Sequence, residues 1–271
     1  GSIRNSGFEL QLDGRIIDRA VKWDLGVNFS LNRSKVLVLS EDKDIFGGEL
    51  DNTILKDQLN LMRVGEPMYV FYGYVEDGYD ENGHIVYKNM DDDPAITAAD
   101  KTIIGDPNPD FLVNLTTAVS YKGFTLSAFF QSSIGNDIYS LSMAAQAYDY
   151  GYNGNTLREV YYNHWTPENP TAKYPNLDQT SYKMSDRFVY DGSFVRLKNL
   201  ELAYDVPCAR NKFIKRARVY VSAQNLFTIT SYPFWDPDIN ANGGGSSMIQ
   251  GVDSYCYPSA RTYTIGCRLT F

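Results

Sequence analysis

Apolar and polar residues alternate one by one through segment after segment of this chain. Phe8, Leu10 and Leu12 alternate with Glu9, Gln11 and Asp13. Trp23, Leu25, Val27, Phe29 and Leu31 alternate with Asp24, Gly26, Asn28, Ser30 and Asn32. The pattern returns from Phe111 to Tyr121 and, directly after Lys122-Gly123, from Phe124 to Gln131. It closes with Tyr263, Ile265, Cys267, Leu269 and Phe271. The stretches 194–204 and 216–228 read as strands with less regular alternation. Neighbouring side chains of a strand point to opposite faces, so each segment predicts a strand with one aliphatic or aromatic face and one polar face. Several runs last ~9–11 residues, the length of a tilted strand crossing a bilayer, whereas strands of soluble domains average ~5–6.

The connections divide into two kinds. Short ones at about 14–21, 121–123 and 205–215 alternate with long ones at about 35–110, 133–190 and 229–259. Long structureless loops are rare in compact soluble domains, whereas short turns on one rim and long loops on the other characterise membrane barrels. The long segments are rich in Asp, Asn, Gly, Pro and Tyr and read as ordered surface excursions. The stretch 67–88 reads as a hairpin inside the first of them, with a further barrel strand as the alternative. The expected fold is therefore all-β, about seven antiparallel strands of a larger transmembrane barrel. The alternative is a soluble antiparallel sandwich, which shows the same alternation. A final aromatic, Phe271, on the apolar face of the last strand favours the barrel.

Composition sharpens this picture. There are 21 Tyr, 14 Phe and 3 Trp in 271 residues, and Tyr suits surfaces that are half apolar and half wet. A formal charge of −8 with no Lys/Arg run excludes a nucleic-acid partner. Cys208, Cys256 and Cys267 form neither a CxxC nor a Cys/His metal pattern. No apolar run approaches the ~18 residues of a transmembrane helix, which leaves a barrel open. The chain begins at Gly1, without a signal peptide, and opens almost at once on a strand pattern, which reads as a segment of something longer.

Taken together, seven blocks carry a family likeness: NSGFEL (5–10), WDLGVNFSLNRSKV (23–36), GEPMYVFYGY (65–74), IIGDPNPDF (103–111), YKGFTLSAFFQ (121–131), GSFVRLKNL (192–200) and VYVSAQNLF (219–227), followed by the closing strand. In this order the chain resembles the C-terminal quarter or so of SusC/RagA-like TonB-dependent transporters of Bacteroidetes. The resemblance implies that residues 1–271 are one portion of an outer-membrane barrel of about 22 strands. It further implies long loops outside the cell and a SusD-like lipoprotein over the mouth. Energy would come from TonB–ExbB–ExbD through an N-terminal region, with its plug and TonB box, that this chain lacks. The expected function is uptake of oligosaccharides or peptides across an outer membrane whose lipid meets the apolar faces. The alternative is a soluble carbohydrate-binding sandwich module.

Two groups of residues are candidates for a site. Asn89, Asp91, Asp93 and Asp100 place oxygens at relative positions 1, 3, 5 and 12, with Ile96 at 8, as in an EF-hand calcium loop. Pro94 replaces the turn glycine and Asp100 the usual Glu, so a solvated acidic turn is the competing reading. No cofactor is required; calcium is the one candidate. The second group is aromatic: Tyr148, Tyr150, Tyr152, Tyr161, Tyr162 and Trp165 in one long connection, and Tyr232, Phe234 and Trp235 in the next. As a set they are expected to meet substrate or partner, although any one could instead pack loop on loop. Catalysis has little support. His84 and His164 lie outside HExxH or nucleophile contexts, and Gly243–Ser247 lacks the Lys of a phosphate loop. Asp236 and Asp238 could form a glycosidase pair, yet capping in an Asp-Pro turn explains them as well.

Overall fold

The computed structural model describes residues 1–51, 55–148, 155–208, 213–239 and 248–271. Its largest element is a seven-stranded, wholly antiparallel sheet, here called the wall. In spatial and chain order it runs β1 (Ser2–Asp18), β2 (Val21–Val38), β3 (Phe111–Tyr121), β4 (Phe124–Ile134), β5 (Phe194–Val206), β6 (Arg216–Thr230) and β7 (Thr262–Thr270). The short connection expected at 14–21 shrinks to Arg19 and Ala20, because β1 and β2 extend to 17 and 18 residues. Lys122 and Gly123 both have positive φ, as a type I′ turn demands of the two residues joining β3 and β4.

Register carries the two faces across the whole wall. One row reads Ile17, Trp23, Val119, Leu126, Leu202, Val221 and Ile265, each paired with the next. The Trp23 indole donates a 2.9 Å bond to Thr117 Oγ1 within the sheet. The opposite face has the row Gln11, Asn28, Asn114, Gln131, Arg196 and Thr228. In β5 the register slips between Leu197 and Asn199, a bulge at Lys198 that keeps the apolar set in phase on both sides of it.

The three long connections fold upon one another as a cap. The first holds a four-stranded sheet in the order Thr102–Gly105, Val70–Gly73, Asn60–Met62, Ile45–Phe46. The hairpin expected in 67–88 is narrower than anticipated: Glu76–Tyr79 pairs with Ile85–Tyr87, while Val70–Gly73 pairs elsewhere. In the second connection, Asp137–Ser140 pairs with Val189–Asp191 and, in parallel, with Val252–Asp253 of the third. Helix α1 (Leu141–Tyr148) follows, and α2 (Arg158–Tyr162) after it.

The buried apolar cluster lies entirely in the cap. It includes Leu59, Phe71, Tyr139, Ala144, Met184, Phe188, Ile249 and Val252, and none of its members belongs to a wall strand. Gly251 (φ +68°) stands where the three connections meet. A Cβ there would come within 2.4 Å of Pro107, 2.9 Å of Phe71 and 3.3 Å of the Asp137 carbonyl. Only glycine meets both the conformation and the space.

Candidate functional site

The polar face of the wall meets the cap along the rim of the long connections, and Arg196 is the joint. Its position on β5 puts it on the polar face, and at 1% exposure it is fully buried. Its guanidinium donates to Thr228 Oγ1 (2.9 Å), Ser259 Oγ (3.1 Å), Asp238 (3.3 Å) and Asp236. Asp236 also accepts from the amides of Ser259 (2.8 Å) and Asp238 (2.9 Å). Burial pushes the Asp236 carboxyl upward, but those amides and Arg196 outweigh it and hold the group below the usual range. Asp236 and Asp238 are thus a clamp on Arg196, and both carboxylates of that pair are engaged by it.

Two further polar joints, one half-buried and one buried, hold the cap together. Arg187 grips Glu76 with Nε at 2.8 and 3.0 Å from the two oxygens, and Ser185 Oγ donates to Glu76 at 2.6 Å. This pair ties the 76–87 hairpin to the second connection. Asp253, buried, accepts from Tyr232 OH (2.6 Å), Ser142 Oγ (3.1 Å) and the Cys256 amide (3.1 Å). Tyr232 OH also lies 2.9 Å from Ser140 Oγ, so one tyrosine spans the second and third connections. Burial raises the phenols of Tyr87, Tyr139 and Tyr232, and Tyr190 is pushed up to about 12.

The aromatic candidates therefore separate. Tyr148 and Tyr232 are corrected from contact surface to core: each is under 5% exposed, and Tyr148 stacks on Tyr182 at 3.7 Å. A tyrosine can fill a core and satisfy its hydroxyl at the edge, so loop composition alone misled. Trp165 is half-buried, its ring pressed against Gly83. Trp235 is exposed and stacks on Phe234 with centroids 4.7 Å apart; Tyr161 and Tyr162 are exposed too. Tyr150, Tyr152 and Gly243–Ser247 lie outside the described residues. His84 Nε2 stands 2.8 Å from an Asp178 carboxylate oxygen and joins a hairpin tip to a neighbouring loop.

The acidic stretch forms a chain of capped turns. Asn89 Oδ1 accepts from the Asp91 amide (3.1 Å), Asp91 from that of Asp93 (2.8 Å), and Asp93 from that of Ala95 (3.0 Å). Asp100 is buried and accepts from the amides of Met90 and Thr97, both at 2.7 Å; they hold its carboxyl below the ordinary range. These oxygens point at separate amides instead of one centre. Among the described residues no three His, Cys, Asp or Glu side chains converge as metal ligands.

Reasoning from sequence missed Arg196. An arginine on the polar row of a strand, with Asp-Pro-Asp in the following connection, was the available signal.

Where wall and cap overhang one another, a cavity of about 710 Å³ opens over the polar face of β1 and β2. A second, of about 330 Å³, lies beside Arg196, Trp235 and Arg261.

Comparison with known proteins gives a consistent result. No protein-family model matches the chain. A TonB-dependent receptor of Formosa agariphila, P3, is 31% identical over 293 residues, covering all of this chain and 29% of the relative. The TonB-dependent receptor SusC of Bacteroides thetaiotaomicron is 28% identical, again over the whole chain and 27% of its own length. Among solved structures, the RagAB peptide transporter superposes with a TM-score of 0.81 at 26% identity, covering the whole chain and 29% of its counterpart. The RagAB peptide importer in its closed-closed state gives 0.82, also at 26% identity. The chain spans only about 30% of the length of the curated relatives it matches.

Proposed function

The chain is SusC/RagA-like, related along its whole length to TonB-dependent receptors, and on that premise we propose that it is a wall-and-loop segment of an outer-membrane active transporter. The complete protein would import glycans or peptides together with a SusD-like lipoprotein, drawing energy from TonB–ExbB–ExbD. No catalytic role is proposed.

One observation carries this reading: the apolar face of the wall is unbroken and bare. Leu126, Leu202, Val221 and Ile265 lie side by side across four strands at 48, 44, 47 and 84% exposure. Apolar surface costs about 25 cal/mol per Å² in water, and a contiguous apolar patch beyond a few hundred Å² marks an interaction or membrane surface. The sandwich alternative needs a second sheet on this face, but the smaller sheets bury their apolar residues among themselves.

The spacing of the aromatics fits lipid. On β3, Phe111 and Tyr121 bound the apolar face ten residues apart. Each has aromatic company: Phe29 stacks on Phe111 at 5.8 Å, and Phe124 lies 4.5 Å from Tyr204 beside Tyr121. At ~3.3 Å per residue and a tilt of ~45°, the two rows stand ~23 Å apart along the normal, close to the ~25 Å band between barrel girdles. The long connections then lie outside the cell and the short ones in the periplasm.

The test is made on the native full-length product. It should fractionate with the outer membrane and migrate faster on gels before heating than after. A soluble product, folded without detergent, would overturn the reading.

A further inference from the structure

The larger cavity lies where a ligand entering from outside would first meet the wall. Its floor is the polar face of β1 and β2, where Asn5 pairs with Ser34, Gly7 with Asn32 and Glu9 with Ser30. Its roof is a pair of cap segments fixed to that floor. The Met68 amide donates to Ser34 Oγ at 3.2 Å, and Asn108 Nδ2 donates to the Met68 carbonyl at 2.8 Å. Arg33 braces the roof from the side, reaching the Pro109 carbonyl (3.2 Å) and Asp110 (2.7 Å). At about 710 Å³ the space falls within the ~300–1,000 Å³ of ligand pockets.

Three properties of this floor select a ligand. The side chains of Asn5, Glu9, Ser30 and Asn32 make no hydrogen bond to the described residues, so amide and hydroxyl groups stand ready for another partner. Ser30 and Asn32 stand one two-residue repeat (~6.8 Å) apart, and Asn5 and Glu9 stand two such repeats apart with Gly7 between them, spacings that a peptide in extended conformation shares. Glu9 is the one ionisable group on the lining, and no cation pairs with it among the described residues.

Charge beyond the cavity has the same sign. Residues 39–110, 135–193 and 231–261 together carry 27 Asp or Glu against 10 Lys or Arg, whereas the remainder of the chain carries 6 against 15. A strongly negative cap over a concave entry raises the local concentration of cations and speeds their arrival.

We propose that the cavity over β1 and β2 is a subsite for an extended, positively charged peptide, with Glu9 receiving a lysine, arginine or amino-terminal ammonium group and Asn5, Asn32 and Ser30 bonding the peptide backbone. This rests on the transporter reading above and narrows its substrate class.

The experiment uses the full-length receptor with its lipoprotein partner, extracted from outer membranes. Binding is measured by fluorescence anisotropy with labelled decapeptides, one lysine-rich and one glutamate-rich, and by competition with a malto-oligosaccharide. The lysine-rich peptide should bind more tightly than the glutamate-rich one. Glu9→Gln should weaken it about tenfold while the salt dependence that the cap imposes persists, and Asn32→Ala should weaken both peptides a few-fold. Equal binding of the two peptides, indifference to Glu9→Gln, or displacement by the oligosaccharide would overturn the assignment. Outer-membrane location and heat-modifiable migration of each variant keep the two readings apart. Their loss from the unmutated protein defeats the transporter reading, whereas their retention with unchanged affinities defeats only the peptide subsite.

Discussion

Wall and cap use the same apolar residue types to opposite ends. In the cap, Phe71, Leu59 and Tyr139 are completely buried among one another. In the wall, Leu126, Leu202 and Ile265 touch little beyond their own sheet. The cap behaves as a small soluble domain, stabilised by removing apolar surface from water. The wall has only its ladder of hydrogen bonds and cross-strand pairs, and its apolar face is complete only against a solvent that is itself apolar. One chain is thus built for two solvents, and the boundary between them runs along the rim where Arg196 is clamped.

Substitutions should tell the two regions apart. The largest effect is expected from Phe71→Ala, which empties a core site beside Tyr139 and should cost ~3–5 kcal/mol. Limited proteolysis should then cut the cap readily while heat-modifiable migration persists. Loss of both together would show wall and cap to be one cooperative unit. Leu202→Arg should do the reverse, costing ~2–4 kcal/mol at mid-membrane and impairing barrel assembly. In a soluble sandwich the same position would lie under the second sheet, and the change would unfold a water-soluble product instead, so the yield of folded protein in the outer membrane against that in the soluble fraction decides.

Acid should reach the cap before the wall. The Asp100 and Asp236 carboxyls are held low in the folded state, so their contribution is present above the ordinary Asp value of about 3.9. It is lost as pH falls through their lower folded values. Amide exchange at Met90, Thr97 and Ser259 should accelerate in that acid window, with strand amides of β3 and β4 unchanged. The smallest effect is expected from calcium. Because the oxygens of Asn89, Asp91, Asp93 and Asp100 already accept from amides, added calcium should leave the melting temperature unchanged. A rise in melting temperature with metal retained through gel filtration would restore the cation loop.

The wall was legible in the sequence because its periodicity is that of an isolated, two-faced strand. Residues 111–131 announced two strands and the turn between them. The cap was not, for two physical reasons. Its strands are two to four residues long, too short for alternation to register, so nothing local joins Val70–Gly73 to Thr102–Gly105. Helix α1 is buried on nearly every side, which erases the one-sided stripe by which a helix is recognised. Of the candidate aromatics Trp235 stands exposed, whereas Tyr148 and Tyr232 went inside, and Arg196 went unnoticed.

The meeting of three connections at Gly251 bears on how such a molecule can change over generations. Loops that stand alone can be lengthened or exchanged one at a time. Here Phe71, Pro107 and Asp137 all close on a single glycine, and Tyr232 reaches back to Ser140. New specificity should therefore arise by inheritance of the three connections as one block. Exposed turns outside the buried cluster, such as that of residues 91–93, would be where small variation accumulates freely.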